Sequence, residues 1–363
     1  MYTEFIWCNN VSPRGFRDYD IPTILLITDT LENTLYPAFQ RLANVVHVYV
    51  DVWLDRLASL KRLIVRAATK RAMPRGLRGL VLRAAQVNVE RRLKFLYRDV
   101  VERGDVDAVV VLDPAFLPVR RTGYLRDAEF ILWSMDSHIP RVLEVHASLV
   151  LEGFFDRVYA AHSSAVKRFR ELGVDAEHLP FGVVSDIFYP RPMRRREFRP
   201  VFIGSLTPRR REVLERAEQL LGMSIESYTV MQHSYAELMA RKFIVLNIPR
   251  RGEVNWRDFE ALGTGVLLVR EESEEIREFF EPNKHFIAYR GVEDLVAKIK
   301  QLMDNREEAC RVAVAGCRAA WERHLLEDRV CRIVEDLGYR CRGVLEDLRR
   351  LHLSRCDKLC DKR

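Results

Sequence analysis

The stretch G-E-V-N-W-R-D-F-E-A-L-G-T-G-V-L-L-V, from Gly252 to Val269, decides how the chain is read. It predicts a loop, a short helix over Trp256 to Leu262, a glycine-marked turn, and a buried strand over Val266 to Val269. The apolar run after Gly265 is short and built of Val and Leu, which favours a strand over a helix. Gly263 and Gly265 flank Thr264, the pattern of a helix stop followed by a close backbone approach. Asn255, in the loop before the helix, is a good capping residue. The free N–H groups and positive dipole end of such a helix suit a phosphate. Arg257 and Glu260 stand three apart and so share one face. The same letters also fit a plain amphipathic helix feeding a core strand, so the reading depends on what surrounds it.

Outward from this stretch, strands and helices alternate. Strands are predicted at Pro22 to Thr28, Val45 to Val50, Asp107 to Leu112, Glu129 to Trp133, Asp156 to Ala161 and Pro200 to Ile203. Helical patterns follow several of them, one from Arg209 to Leu221. This rhythm predicts an α/β fold with doubly wound parallel sheets, whose ligands bind beyond the carboxyl ends of the strands. Asp29 and Thr30 end the first strand and read chiefly as a helix cap. The turn W-S-M-D-S-H-I-P ends another strand and carries Asp136 and His138, a carboxylate and an imidazole two apart. Both are candidate substrate contacts, although local turn hydrogen bonds account for such a pair equally well. In G-S-L-T-P, Gly204 to Pro208, a glycine turn leads from strand to helix with Thr before Pro, an anion-cradle pattern. Pro190, Pro192 and the run Arg194-Arg195-Arg196 mark a linker between two domains.

Composition narrows the function classes. A chain of 363 residues makes two ordinary domains, and 48% hydrophobic content supplies their cores. No apolar run reaches transmembrane length, and the N-terminus lacks the layout of a signal peptide, so a cytoplasmic location is expected. Seven cysteines, an odd count, argue against a secreted disulfide framework. Six of them fall after residue 309, with His352, Cys356 and Cys360 spaced along one helical face. Buried free thiols are the expected state, ahead of disulfides or a metal site. The net charge of +7 is local: residues 56–103 hold fourteen basic and three acidic side chains, a net +11. That segment reads either as helices with a solvated basic face or as a patch for an anionic membrane surface. Nucleic acid is the less expected partner.

Four separated segments resemble one family. N-W-R-D-F-E-A-L-G-T-G-V-L-L-V is similar to the nucleotide-site segment of GT-B glycosyltransferases, closest to the CgeB-like (spore maturation protein) group allied to the retaining family 4. L-P-F-G-V-V-S-D-I-F-Y-P, Leu179 to Pro190, resembles the exit from their N-terminal domain. F-I-G-S-L followed by Arg209-Arg210-Arg211 resembles the opening of the donor domain, and F-E-P-N-K-H with Y-R-G-V-E-D-L resembles a later stretch of it. The resemblance implies a GT-B fold, two Rossmann-like doubly wound domains facing a central cleft. It divides the chain into an acceptor-side domain (1–190), a nucleotide-sugar-binding domain (191–340) and a C-terminal helix (341–363) expected to cross back. It implies transfer of a sugar from a nucleoside diphosphate sugar to an acceptor hydroxyl on a glycan, lipid-linked sugar or protein. Retention of anomeric configuration is implied too, without a metal or other cofactor.

By the same resemblance Glu260 would bind the ribose hydroxyls beside Asn255 and Arg257, and Gly204 and Ser205 would meet the diphosphate. Arg210 or Arg211 would neutralise the leaving charge, and Asp136 and His138 would face the substrate. Family 4 often carries a second glutamate, whose slot falls on Gly252, with Glu253 one place late. Two other readings stay open: a GT-B sugar-nucleotide epimerase, and a non-catalytic scaffold held to membrane or nucleic acid by the basic segment.

Overall fold

The computed structural model describes residues 21–28, 35–49, 106–113, 125–193, 196–229, 232–341 and 344–361. Asp29, Thr30, Arg194, Arg195 and the basic segment 56–103 lie outside the described residues. Two wholly parallel sheets organise the rest. The first holds β1 (Thr23–Thr28), β2 (Asn44–Tyr49), β3 (Ala108–Leu112), β4 (Glu129–Ser134), β5 (Arg157–Ala160) and β6 (Glu177–His178), in the order β2-β1-β3-β4-β5-β6. The second holds β7 (Glu197–Ile203), β8 (Glu226–Tyr228), β9 (Lys242–Asn247), β10 (Leu267–Glu271) and β11 (Ile287–Tyr289), in the order β11-β10-β9-β7-β8.

Burial on both faces explains why these strands read as continuous apolar runs. All five residues of β3 and all six of β9 are buried. In each sheet the strand order reverses beside the first strand, between β1 and β3 and between β7 and β9. An open sheet places its ligand crevice at such a reversal. The second reversal therefore brings together Gly204, just after β7, and Asn247, the last residue of β9.

The helices are α1 (Tyr36–Leu42), α2 (Pro140–Leu151), α3 (Ser163–Glu171), α4 (Pro208–Leu221), α5 (Gln232–Arg241), α6 (Trp256–Thr264), α7 (Glu274–Arg277), α8 (Gly291–Asp304), α9 (Arg306–Arg323), α10 (Leu326–Asp336) and α11 (Val344–Asp357). One apolar cluster joins the two halves, running from Phe39 and Trp133 through Phe188 to Phe259 and Trp321.

Four details depart from the sequence reading. Helix α6 continues through Gly263 and Thr264 and stops at Gly265, which caps it in the left-handed region at φ 71°. Gly263 is small for another reason: a Cβ there would lie 2.5 Å from Val183 and 3.1 Å from the Phe188 carbonyl oxygen. The helix thus packs directly on the connection between the sheets. Arg196, read as linker, is buried and donates to the carbonyls of Thr264, Gly265 and Arg191. It satisfies the free carbonyls at the end of α6, and burial pushes its pKa down to about 9.

The chain returns to the first sheet through α10. Helix α10 packs on α1, Tyr159 donates to Asp336, and Val183 bridges Leu325. Helix α11 lies along α9 and reaches Tyr189 through His352 and Arg355. Cys356 of α11 and Cys360 just past its end are paired with α9, Cys310 with Cys360 and Cys317 with Cys356, at Cα separations of 6.3 and 5.8 Å. The expectation of free thiols fails for these four because spacing along one helix cannot reveal the partner helix. Cys331 and Cys341 remain thiols.

Candidate active site

The site is built at the β7/β9 reversal. Gly204 has φ 150°, a conformation that favours glycine. A Cβ at Gly204 would stand 2.8 Å from Arg257 Nη2, so the guanidinium of Arg257 sits directly over the turn. Thr207 caps α4, its Oγ1 accepting from Arg210 N. Arg210 turns inward, 6% exposed, and donates to the carbonyls of Ile248 and Ser205. Burial, then the charges of Arg257 and Arg250, push its pKa down to about 10. Two arginines crowded at a helix N-terminus make a strong seat for an anion.

The neighbouring arginines do otherwise. Arg209 pairs with Glu271 and donates to Pro249 O, while Arg211 lies exposed. Ser205 contributes its carbonyl to Arg210, and its side chain is exposed.

Asn255 is consumed by capping: its side chain accepts from Arg257 N, and Asp258 returns the bond to Asn255 N. This capping box starts α6 and aims Arg257 at Gly204. Asp258 is fully buried and is held by Asn247 Nδ2 at 2.6 Å and Arg270 Nε at 2.9 Å. Arg270 also donates to the carbonyls of Glu253 and Glu271 and to Ser273 Oγ. One buried guanidinium therefore fixes both α6 and the loop before it. One turn past Arg257, Glu260 is half-buried, and burial raises its pKa to about 7 against the opposing pull of Arg257.

The first sheet supplies the opposite wall. Asp136 is exposed, and its backbone N–H donates to Asp113 Oδ1. His138 is half-buried, its Nδ1 has no hydrogen-bond partner among the described residues, and its ring lies 4.6 Å from that of His162. Burial, then His162, holds the His138 pKa below the usual range, while Asp136, Glu253 and Glu275 pull the other way. Glu253 and Glu275 belong to the second half, so His138 faces across the cleft. His162 Nδ1 lies 3.0 Å from Glu275 Oε1 and its Nε2 lies 3.1 Å from the Met135 carbonyl. Glu275 Oε2 accepts from Val254 N. This chain of contacts ties β5 of the first sheet to the loop that carries Glu253.

The structure thus gathers Gly204, Arg210, Arg257 and Glu260, with His138 on the facing wall. It adds residues that sequence reading did not assign. One is Asn247, at the end of β9, and another is Glu253, which the sequence showed only as a carboxylate one place late. Glu253 in fact accepts from the N–H groups of Arg250 and Arg251, which outweigh its burial and lower its pKa. Among the described residues no group of three or more His, Cys, Asp or Glu side chains is placed to hold a metal ion.

Two doubly wound domains with a nucleotide-type crevice between them define the GT-B fold of glycosyltransferases. Residues 199–335, the second domain and α10, match the family described as Glycosyl transferase-like. In fold the chain is similar to HepE of Anabaena in complex with UDP, with a TM-score of 0.55 at 13% identity over 88% of this chain and 100% of that one. It is similar to an alpha-glucosyltransferase in complex with UDP-glucose and DNA, with a TM-score of 0.57 at 10% identity over 88% and 99%. It is also similar to sucrose-phosphate synthase of Thermosynechococcus elongatus, with a TM-score of 0.52 at 12% identity over 87% and 98%. No curated protein sequence matches the chain.

Proposed function

We propose that this protein is a glycosyltransferase of the CgeB-like, family 4-allied type, moving a sugar from a nucleoside diphosphate sugar to an acceptor hydroxyl with retention. The observation that carries the reading is the pairing of Arg257 and Arg210 over the Gly204 turn, with Glu260 one helical turn away. The arginines and the α4 N-terminus seat the diphosphate and stabilise the charge that develops as it leaves. A carboxylate at Glu260 accepts from two vicinal ribose hydroxyls. His138, neutral and facing the cleft, is suited to orient the transferred sugar or the acceptor hydroxyl. UDP is the first donor nucleotide to test, because the solved complexes of similar fold hold UDP or UDP-glucose.

The test is thermal unfolding of wild type and Glu260→Ala against UDP-, GDP-, ADP- and dTDP-sugars. A ligand at about one hundred times its Kd stabilises the fold by about 2.7 kcal/mol. One nucleotide class should raise the midpoint of the wild type and fail to raise that of the variant. A flat response to every donor would remove the reading.

A further inference from the structure

Among the described residues, Cys331 and Cys341 are the two cysteines left as thiols. How α10 ends brings them together. Gly338 has φ 90°, Gly338 N donates to Glu335 O at 2.9 Å, and Tyr339 N donates to Val334 O at 3.2 Å. A helix closed by a left-handed glycine sends its continuation back along its own side. Three residues on, Cys341 meets Cys331: its Sγ donates to the Cys331 carbonyl oxygen at 3.6 Å, and the two side chains hydrogen-bond each other. Cys331 is half-buried and Cys341 is 6% exposed. Contact makes the two thiols one titrating unit. The shared hydrogen bond lowers the pKa of Cys341 and raises that of Cys331, because a Cys341 thiolate accepts from the Cys331 S–H. Burial and the Glu335 carboxylate work against ionisation of both. The thiolate is the form that an oxidant attacks, and a second thiol in contact resolves the product.

We propose that Cys331 and Cys341 form a reversible disulfide site, closed by a peroxide and reopened by a dithiol. One thiolate of the pair attacks the peroxide; the O–O bond breaks, hydroxide leaves and a sulfenic acid forms. The other thiol attacks the sulfenic sulfur, the S–S bond forms, and the sulfenic oxygen leaves as water with that thiol's proton. Overall two thiols and one peroxide give one disulfide and two waters. A dithiol reverses the change by exchange and becomes a disulfide itself. The closed bridge spans the chain between α10 and the approach to α11. Tyr339 lies within that span, and its hydroxyl donates to Asp107 Oδ1, whose Oδ2 accepts from Thr23 N. The oxidised state therefore pins the segment by which the chain returns to the first sheet. It also fixes the approach to α11, whose far end the bridges to α9 already hold.

The experiment treats the full-length protein with a dithiol, removes it, and divides the sample between buffer and hydrogen peroxide. Remaining thiols are blocked with N-ethylmaleimide in denaturant, and the peptides are mapped by mass spectrometry. Peroxide should remove the label from both Cys331 and Cys341 and yield their two peptides linked, lighter than the free pair by two hydrogens. A second dithiol treatment should restore both labels. In Cys331→Ser, Cys341 should stop at the sulfenic acid and take up dimedone. Peroxide should raise the melting temperature of the wild type and leave that of Cys331→Ser unchanged, since the bridge restricts the unfolded chain. Labels retained at both cysteines after peroxide would overturn the proposal. So would a link from either one to a different cysteine, such as Cys8. Both readings come from the wild type, so they stand even where a variant folds poorly. A Cys331–Cys341 link that forms without raising the melting temperature would overturn the pinning of the return segment.

Discussion

Glu260 shows how burial turns a helix residue into a site residue. Its carboxyl is raised to about 7 by desolvation, with Arg257 opposing. The ionised form is thus disfavoured in the fold relative to the unfolded chain, where a glutamate ionises near 4.5. Unliganded stability should accordingly fall as pH rises from about 4.5 to about 7 through this group. In the proposed function ribose hydroxyls donate to the carboxylate and favour the ionised form, so donor binding should tighten as pH rises through about 7. Titrating UDP between pH 5.5 and 8.5 checks this: Kd should fall toward the alkaline end in wild type and stay flat in Glu260→Gln. A steeper dependence in the variant would assign the pH effect to another group, His138 being the nearest candidate. Both Arg257 and Glu260 were legible in the sequence because their spacing of three fixes a shared helical face.

At the scale of elements, capping and crosslinking decide the outcome. Helix α6 was recognisable from Asn255 onward, since Asn at a cap followed by Asp258 at the third position carries its own local logic. Its end was misread because two glycines compete for the stop, and one of them, Gly263, answers to a neighbour rather than to the helix. Helices α9 and α11 are joined by two disulfides whose sequence separations are 50 and 39. A bridge closing loops of that size contributes about 2–4 kcal/mol, and the nested second one contributes less. The double variant Cys317→Ala/Cys356→Ala should therefore unfold at lower urea concentration. Reductant should lower the midpoint of wild type further than that of the variant. No change with reductant in either protein would show that the cysteines are already thiols.

For the whole molecule, the cleft is set by contacts that cross between the two sheets. Glu275 accepts from Val254 N and pairs with the buried His162. Burial would raise its pKa, but His162 and the Val254 N–H hold it below the usual range. Glu275→Ala would leave His162 Nδ1 and a backbone N–H unpaired, each a loss of about 1–3 kcal/mol. Chemical denaturation should show that loss. UDP affinity should fall as well, because the loop carrying Glu253 loses its anchor to the first sheet. A variant as stable as wild type would show that water replaces the carboxylate and that the two halves are held elsewhere. Return of the chain through α10 belongs to the same scale, with Tyr339 donating to Asp107 and Tyr159 to Asp336.

The alternation of apolar runs with helical periods, the glycine turn at Gly204 and the start of α6 all speak through local physics. For that reason the doubly wound fold and most of the residues gathered at the Gly204 turn could be read from the letters alone. The other part is non-local. Which arginine of Arg209, Arg210 and Arg211 turns inward depends on the carbonyls of Ser205 and Ile248, 5 and 38 residues away. The pairing of His162 with Glu275 spans 113 residues and two domains. Cysteine partners and the route of the chain home depend on which surfaces meet. Packing selects those surfaces, because burial rewards total apolar contact and polar pairing across the whole molecule, and no spacing along the chain records that choice.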